Sequence, residues 1–464
     1  MKIKFQKLGA LQQGEFELGK LTIICGKNNT GKTYATYALF GFLSFWREAF
    51  SIKVPQKYVE ELLTDGVTKL SIQEFVQNAS DILKEGCKAY TKYLPTVFAS
   101  SAKHFSESIF EVFIDNKDIH PTLKFQRHIG SAKVQLFSIE KKENQDVITV
   151  SLLVEKDRVR ISSDMIERAV GDAIKDIIFG DLFANPFIAS AERTGAAIFR
   201  KELNLARNRL LEDLSTLDKE VNPFELLTKV YSDYALPVKT NVDFTRQLED
   251  VSKKDSFIAE QHSEILSDFY DIIGGEYTVT KEDELYFIPK GKRIKLSMDE
   301  SSSAVRSLLD IGFYLRHVAK PGDLLMIDEP ELNLHPENQR RVARLFARLV
   351  NIGVRVFITT HSDYIIKELN TLIMLSHDKP YLRLIAEKEK YKPDELISAS
   401  SVKVYIAESA LIKFEGAKRK TRCHTLTKGD IDSEYGIEAK SFDTTIDDMN
   451  RIQEEIVWGE KDNE

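Results

Sequence analysis

Gly26, Gly31, Lys32 and Thr33 stand at the spacing of a loop that wraps phosphate, because "CGKNNTGKTYATYALF", residues 25–40, fits G-x-x-x-x-G-K-[ST]. The two glycines admit a tight backbone path that turns successive amide N–H groups inward, and a helix opening behind them adds its positive end. Asn28, Asn29 and Thr30 complete the same cradle. Lys32 is spaced to reach the β- and γ-phosphates, and the Thr33 hydroxyl to bind Mg²⁺, so the expected ligands are ATP and Mg²⁺. A second group lies in "KPGDLLMIDEPELNLHP", residues 320–336, where four apolar residues end in Asp328 and Glu329. Asp328 would hold the Mg²⁺ directly or through water, and Glu329 would polarise the water that attacks the γ-phosphate. Taken alone, the same stretch also reads as an acidic turn closed by Pro330 and Pro336.

These groups need elements to position them. "KLTIIC" before the loop and "YATYALFGFL" after it read as a buried strand and a helix. "LLMID" has the unbroken apolar character of a parallel strand, which delivers carboxylates at its C-terminal edge, where open α/β sheets bind ligands. The helix "ENQRRVARLFARLV" follows, with Val342, Leu345, Phe346 and Leu349 at helical spacing, and then a second strand in "VRVFITTHSDYII". His361 falls just past that strand, on the same expected edge as Asp328 and Glu329, within reach of a γ-phosphate. "MDESSSAVRSLLDIGFYLRH", residues 298–317, sets Ser301, Ser302 and Ser303 before an apolar helix. Serines there are ordinary caps or, equally, hydroxyls offered to a phosphate.

The order of these elements resembles the ABC-type ATPases of the Rad50, SMC and overcoming-lysogenisation-defect group, and "DEPELNLHP" followed by "THSDYI" is especially similar to the last branch. By that resemblance the fold is α/β, an ABC-type P-loop head with a helical and small β insertion between Walker A and the signature motif. The resemblance makes "LLMIDE" the Walker B, "ELNLHP" the D-loop region, His361 the switch histidine and "SSSAVR" a degenerate signature. The family carries glycine where this chain has Ser303 and Ala304, so Ser302 is the best match to the serine that acts in trans. "FIASAERTG" sits where the Q-loop strand should end, making Glu192 or Arg193 the candidates. The resemblance further implies composite ATP sites completed by a second copy, hence at least a head-to-tail homodimer.

The expected organisation is a split head at residues 1–50 and 180–390, an inserted helical and β-meander region at 51–180, a helical arm at 196–272 broken at Pro223 and Pro237, and a docking extension at 391–464. Neither insert sustains heptads long enough for a coiled-coil arm. The meander has expected turns at Glu143-Asn144 and Lys156-Asp157. In the last segment "AKRKTR", residues 417–422, is basic, and the acidic tail places Ile446, Met449, Ile452 and Ile456 at helical spacing. The basic run could touch DNA or an acidic protein, and the tail another subunit; both also fit plain solvated faces.

A net charge of −7 argues against nucleic acid wrapped around the whole protein, though it permits a local basic patch. Three dispersed cysteines and no signal-peptide or membrane-spanning run fit a cytoplasmic, membrane-free protein. The nucleases of the overcoming-lysogenisation-defect branch carry a Toprim domain after the ATPase. Here Glu415 and the pair Asp430 and Asp432 match it only superficially, with too little chain between them for that fold. The resemblance thus leads to the ATPase component of a bacterial anti-phage system, similar to the ATPases of PARIS-type systems, that holds a separately encoded nuclease or toxin effector and answers a phage trigger protein. The alternative is a DNA repair or recombination ATPase of RecF or Rad50 type acting directly on DNA. A transporter ATPase ranks below both, lacking the glycine-rich signature. A slow nucleotide-dependent scaffold also fits the motifs.

Overall fold

The computed structural model describes residues 1–131, 134–154, 161–199, 234–413, 419–432, 434, 436–437 and 449–455. The chain forms two compact units: Gly9–Tyr37, Thr96–Ser100 and Pro186–Glu464 make the larger, and Met1–Leu8, Ala38–Pro95 and Ser101–Asn185 the smaller.

The larger unit is built on a sheet with the strand order Leu11–Glu17, Thr421–Lys428, Val402–Ile412, Leu21–Cys25, Arg355–Thr360, Leu324–Asp328, Pro186–Ala189. The last five run parallel to one another. Leu21–Cys25 and Leu324–Asp328 are buried at every position, which is why they read as continuous apolar runs and not as alternating strands. Register places Asp328 opposite Thr359 and Thr360 opposite Cys25, so three neighbouring strands end together. Helix Pro336–Asn351 starts with Pro336 after the capping residue His335 and buries Val342, Leu345, Phe346 and Leu349 in the core, as their spacing predicts. Glu368, on helix Asp363–Leu375, is 3% exposed and ties the two helices together by accepting from Arg340 Nε at 2.7 Å and Arg344 Nε at 2.5 Å. A small antiparallel sheet, Gly275–Val279, Leu285–Pro289 and Leu296–Ser297, precedes the serine segment.

The head does not stop at residue 390. Val402–Ile412 pairs in parallel with the strand before the phosphate loop, Val404 opposite Ile23, and Thr421–Lys428 pairs back onto it. Part of the segment expected as a docking extension therefore belongs to the head sheet. The reason is that a lone Leu21–Cys25 edge would leave a row of backbone groups unpaired, and Val402, Val404 and Tyr405 are buried there. Residues 417 and 418 of the basic run and apolar residues 446 and 456 lie outside the described residues, whereas Met449 and Ile452 are exposed on a helical segment at 449–455.

The smaller unit has an aromatic core. Phe42 packs on Tyr90, Phe110 and Phe183 with ring centroids 5.5, 5.5 and 5.2 Å apart, and Trp46 lies 5.1 Å from Phe183. This packing draws residues 38–49 of helix Lys32–Ala49 into the unit, and Lys2–Leu8 joins it by antiparallel pairing with Ile109–Phe113. The unit therefore takes in both stretches and exceeds the expected insertion 51–180. Its second sheet, Val67–Ser71, Val147–Leu152, Gln135–Lys141 and Phe125–Gly130, is an antiparallel meander. The expected turn at Glu143-Asn144 is present, with Asn144 at φ 58°, while Lys156-Asp157 lies outside the described residues. The expected arm is described only at its ends: Arg193–Ile198, then helices from Leu236–Arg246 onward, Pro237 sitting in the first turn of that helix and Pro223 falling outside the described residues.

Candidate functional site at the phosphate loop

The loop between Cys25 and Lys32 is shaped by positive backbone angles, φ 143° at Gly26, 61° at Asn29 and 100° at Gly31. A side chain at Gly31 would sit 2.5 Å from Leu11 Cγ, so the position needs glycine for space as well as for angle. Asn28 and Asn29 are exposed at the crown of the loop, and Thr30 is buried, donating to Lys27 O at 2.7 Å. Lys32 is 6% exposed, and its Nζ donates to Gly26 O and Lys27 O at 2.9 Å each. Burial lowers its pKa, against the pull of Glu329 and Asp328 nearby. A cation spanning two carbonyls is stretched across the loop in the place where phosphate oxygens would replace those carbonyls.

The strand edge brings the predicted residues together. Thr33 Oγ1 lies 3.3 Å from Asp328 Oδ2, and Thr359 Oγ1 donates to Asp328 Oδ1. Burial pushes the Asp328 carboxyl up to about 6, with Glu329 adding to the effect and the Thr359 hydroxyl opposing it. A divalent cation would favour its ionised form, and the Thr33–Asp328 oxygen pair fits a Mg²⁺ that takes its remaining oxygens from nucleotide and water. Glu329 follows with φ 53°, a left-handed backbone that turns its side chain off the strand, and its N–H donates to Thr359 O at 3.1 Å. His361 Nδ1 is 3.7 Å from Glu329 Oε1 and 3.2 Å from Glu331 Oε1.

Glu331 was not singled out by sequence reasoning. It is 7% exposed and accepts from His361 N at 2.8 Å and Thr360 Oγ1 at 2.9 Å, fixing the histidine's place. Its signal in the sequence was an acidic residue three places after the strand's last residue, beside Asp328 and Glu329. Of the Q-loop candidates, Glu192 is exposed and accepts from Tyr37 Oη at 2.9 Å, on the Asp328 side of the site, whereas Arg193 is buried and turned to backbone carbonyls. Ser302 is exposed and caps helix Ser303–Ser307 by accepting from Val305 N at 3.3 Å. No hydrogen bond ties it to the phosphate loop among the described residues. Ser301 is buried and donates to Ser297 O at 2.7 Å.

A phosphate loop, a histidine strand and an Asp-Glu strand, adjacent and parallel, define a P-loop nucleotide hydrolase head. The chain belongs to the AAA ATPase domain family, whose model matches residues 1–366. No curated protein matches the sequence. Among solved structures the chain is similar to the SMC head domain from Thermotoga maritima, at 11% identity over 93% of this chain and 98% of that one, TM-score 0.30. It is also similar to an SMC head bound to the C-winged helix domain of ScpA, at 11% identity, 92% and 96% coverage and TM-score 0.33. A third is the Smc head domain with an extended coiled coil bound to the C-terminal domain of ScpA derived from Pyrococcus furiosus, at 12% identity, 97% and 98% coverage and TM-score 0.30. No helix among the described residues is long and apolar enough to cross a membrane.

Proposed function

We propose that this ATPase-family chain binds Mg²⁺ and ATP at the Lys32 loop, hydrolyses ATP in a composite site shared with a second copy, and uses that cycle to hold or release a separate nuclease or toxin effector in a bacterial anti-phage system. The observation that carries the hydrolytic part is the convergence of Lys32, Thr33, Asp328, Glu329 and His361 at the ends of three adjacent parallel strands. The effector and the phage trigger rest on the resemblance of "DEPELNLHP" and "THSDYI" to the overcoming-lysogenisation-defect branch, which is similar to the ATPases of PARIS-type systems.

In the mechanism, Lys32 exchanges its two carbonyl partners for β- and γ-phosphate oxygens. Thr33 and Asp328 would hold the Mg²⁺, which would supply neutralisation of charge on the phosphates. Glu329 takes a proton from water as the water oxygen bonds to the γ-phosphorus and the bond to the β–γ bridging oxygen breaks, leaving ADP and phosphate. His361, fixed by Glu331, faces the γ-phosphate, and Ser302 of one copy completes the site of the other. General-base assistance of this kind contributes about 10²–10⁴-fold.

Lys32→Ala is expected to weaken ATP binding, and Glu329→Gln to keep binding while trapping the closed assembly; unaltered turnover in Glu329→Gln would remove that residue from the base role. For the system-level reading, the decisive experiment is native mass spectrometry of the protein co-expressed with its chromosomal neighbours, with and without ATP. A stable complex with a nuclease-like neighbour supports the controlled-effector reading. An ATP-dependent homodimer alone, with turnover stimulated by DNA and weakened by salt, would replace it with the DNA-acting one.

A further inference from the structure

Arg193 is 1% exposed, yet its guanidinium hydrogen bonds all end on backbone carbonyls: Ser190 O at 2.8 Å, Ser307 O at 2.7 Å, Asp328 O at 2.7 Å and Glu329 O at 2.9 Å. The four carbonyls come from three segments. Ser190 follows strand Pro186–Ala189, Ser307 ends the short helix capped by Ser302, and Asp328 and Glu329 close the strand that carries the acidic pair. Of the carboxylates acting on Arg193, Asp310 is the strongest, ahead of Asp328, Glu331 and Glu329; Asp310 is also 1% exposed, and its two carboxyl oxygens have no hydrogen-bond partner. Burial pushes its pKa up to about 7 and Arg193 draws it back.

A planar fork of five donors is suited to this task, since it fixes several acceptors at set angles where an ammonium would hold them loosely. Glu329 needs such fixing because its φ of 53° is a sparsely populated backbone state for a residue with a side chain. The Nη2–Glu329 O and Nη1–Asp328 O bonds clamp the backbone on both sides of that turn, while Nε reaches the far end of the serine-capped helix through Ser307 O. Ser302 caps the short helix that Ser307 ends, so Ser302 and Ser307 O belong to one rigid turn of chain.

We infer that Arg193 is a positioning residue that links the helix behind Ser302 to the backbone of Glu329, so that engagement of the serine segment sets the orientation of the water-polarising carboxylate. The inference rests on the hydrolytic reading above and adds a route from the serine segment to the acidic pair within one chain. Arg193 thereby leaves the Q-loop role, and the exposed Glu192 remains the candidate for it.

The test uses the full chain in steady-state ATPase assays, titration with a fluorescent ATP analogue and thermal melting. The variants are Arg193→Lys, Arg193→Gln and the double variant Arg193→Gln with Asp310→Asn, which removes the buried charges together and so protects the test against misfolding of the single variant. ATP affinity is expected to stay within about threefold, while kcat falls at least about thirtyfold in Arg193→Gln and about tenfold in Arg193→Lys. The double variant should regain melting temperature without regaining kcat. In a Glu329→Gln background, Arg193→Gln should lower turnover by less than about twofold more, because both changes act through one group. Recovery of kcat along with melting temperature, a parallel fall of ATP affinity, or additive losses with Glu329→Gln would each overturn the positioning role. A wild-type chain that binds the analogue but turns over no ATP would instead overturn the hydrolytic reading.

Discussion

Gly26→Ala should cripple nucleotide binding while leaving the protein folded. Gly26 has φ 143°, and a Cβ there would lie 2.3 Å from Ala407 O and 3.2 Å from Ala407 C. Both walls are backbone of one sheet: Gly26 follows Leu21–Cys25, and Ala407 belongs to Val402–Ile412, paired with it through Ile406 opposite Cys25. Neither can yield like a flexible side chain, so the loop must move by about an ångström. Backbone states of this kind cost a residue with a side chain about 1–3 kcal/mol. If binding must restore the native loop path, that cost appears as a loss of about 5–150-fold in ATP affinity. The assay is titration with a fluorescent ATP analogue beside a thermal melt. Gly195→Ala is the control, because nothing lies within 4 Å of a Cβ at that helical position. A Gly26→Ala protein that binds ATP within about twofold of wild type would refute both the steric argument and the assignment of Ala407 as the wall behind the loop.

Two further outcomes follow from the site and its surroundings. Glu331→Gln replaces a carboxylate oxygen facing His361 N–H and Thr360 Oγ1–H with an amide, so one donor faces another; turnover should fall about tenfold with ATP affinity nearly unchanged, and equal turnover would show that Glu331 does not set the histidine. Asp310 gives a pH test. Its folded pKa of about 7 lies above its ordinary 3.8, so the folded state holds a proton more tightly than the unfolded one. Its contribution to stability is full below pH 3.8 and is lost as pH rises through about 7. Compared with Asp310→Asn in urea unfolding, the wild-type chain should lose relative stability across that window, and a relative gain would reverse the assigned cause.

Much of the site was legible because its residues are local in sequence. Gly26 to Thr33 form one loop, and Asp328 and Glu329 are adjacent, so spacing alone reveals the chemistry. His361 was legible through strand order, since a strand, helix and strand place two strand ends on one edge. Glu331 and Thr359 were not, because an acidic loop residue and a threonine near a strand end are common. Only the register that sets Asp328 opposite Thr359 gives the hydroxyl a carboxylate to serve. The expected end of the head at 390 failed because pairing partners separated by nearly the whole chain leave no local pattern. Val402–Ile412 reads as an ordinary strand until Leu21–Cys25 is seen to need a neighbour.

The sequence by itself determined the candidate groups, a phosphate loop ending in Lys32 and Thr33, an acidic pair and a histidine, because each depends on short-range spacing and on the conformational freedom of two glycines. Tertiary structure decided who holds whom. It set the C-terminal strand as the wall of the phosphate loop and aimed Glu331 at His361, and it buried Arg193 among carbonyls from three distant segments. Those relations exist only once the strands have chosen their order, and that choice is made by burial of apolar faces and satisfaction of backbone groups over the whole sheet.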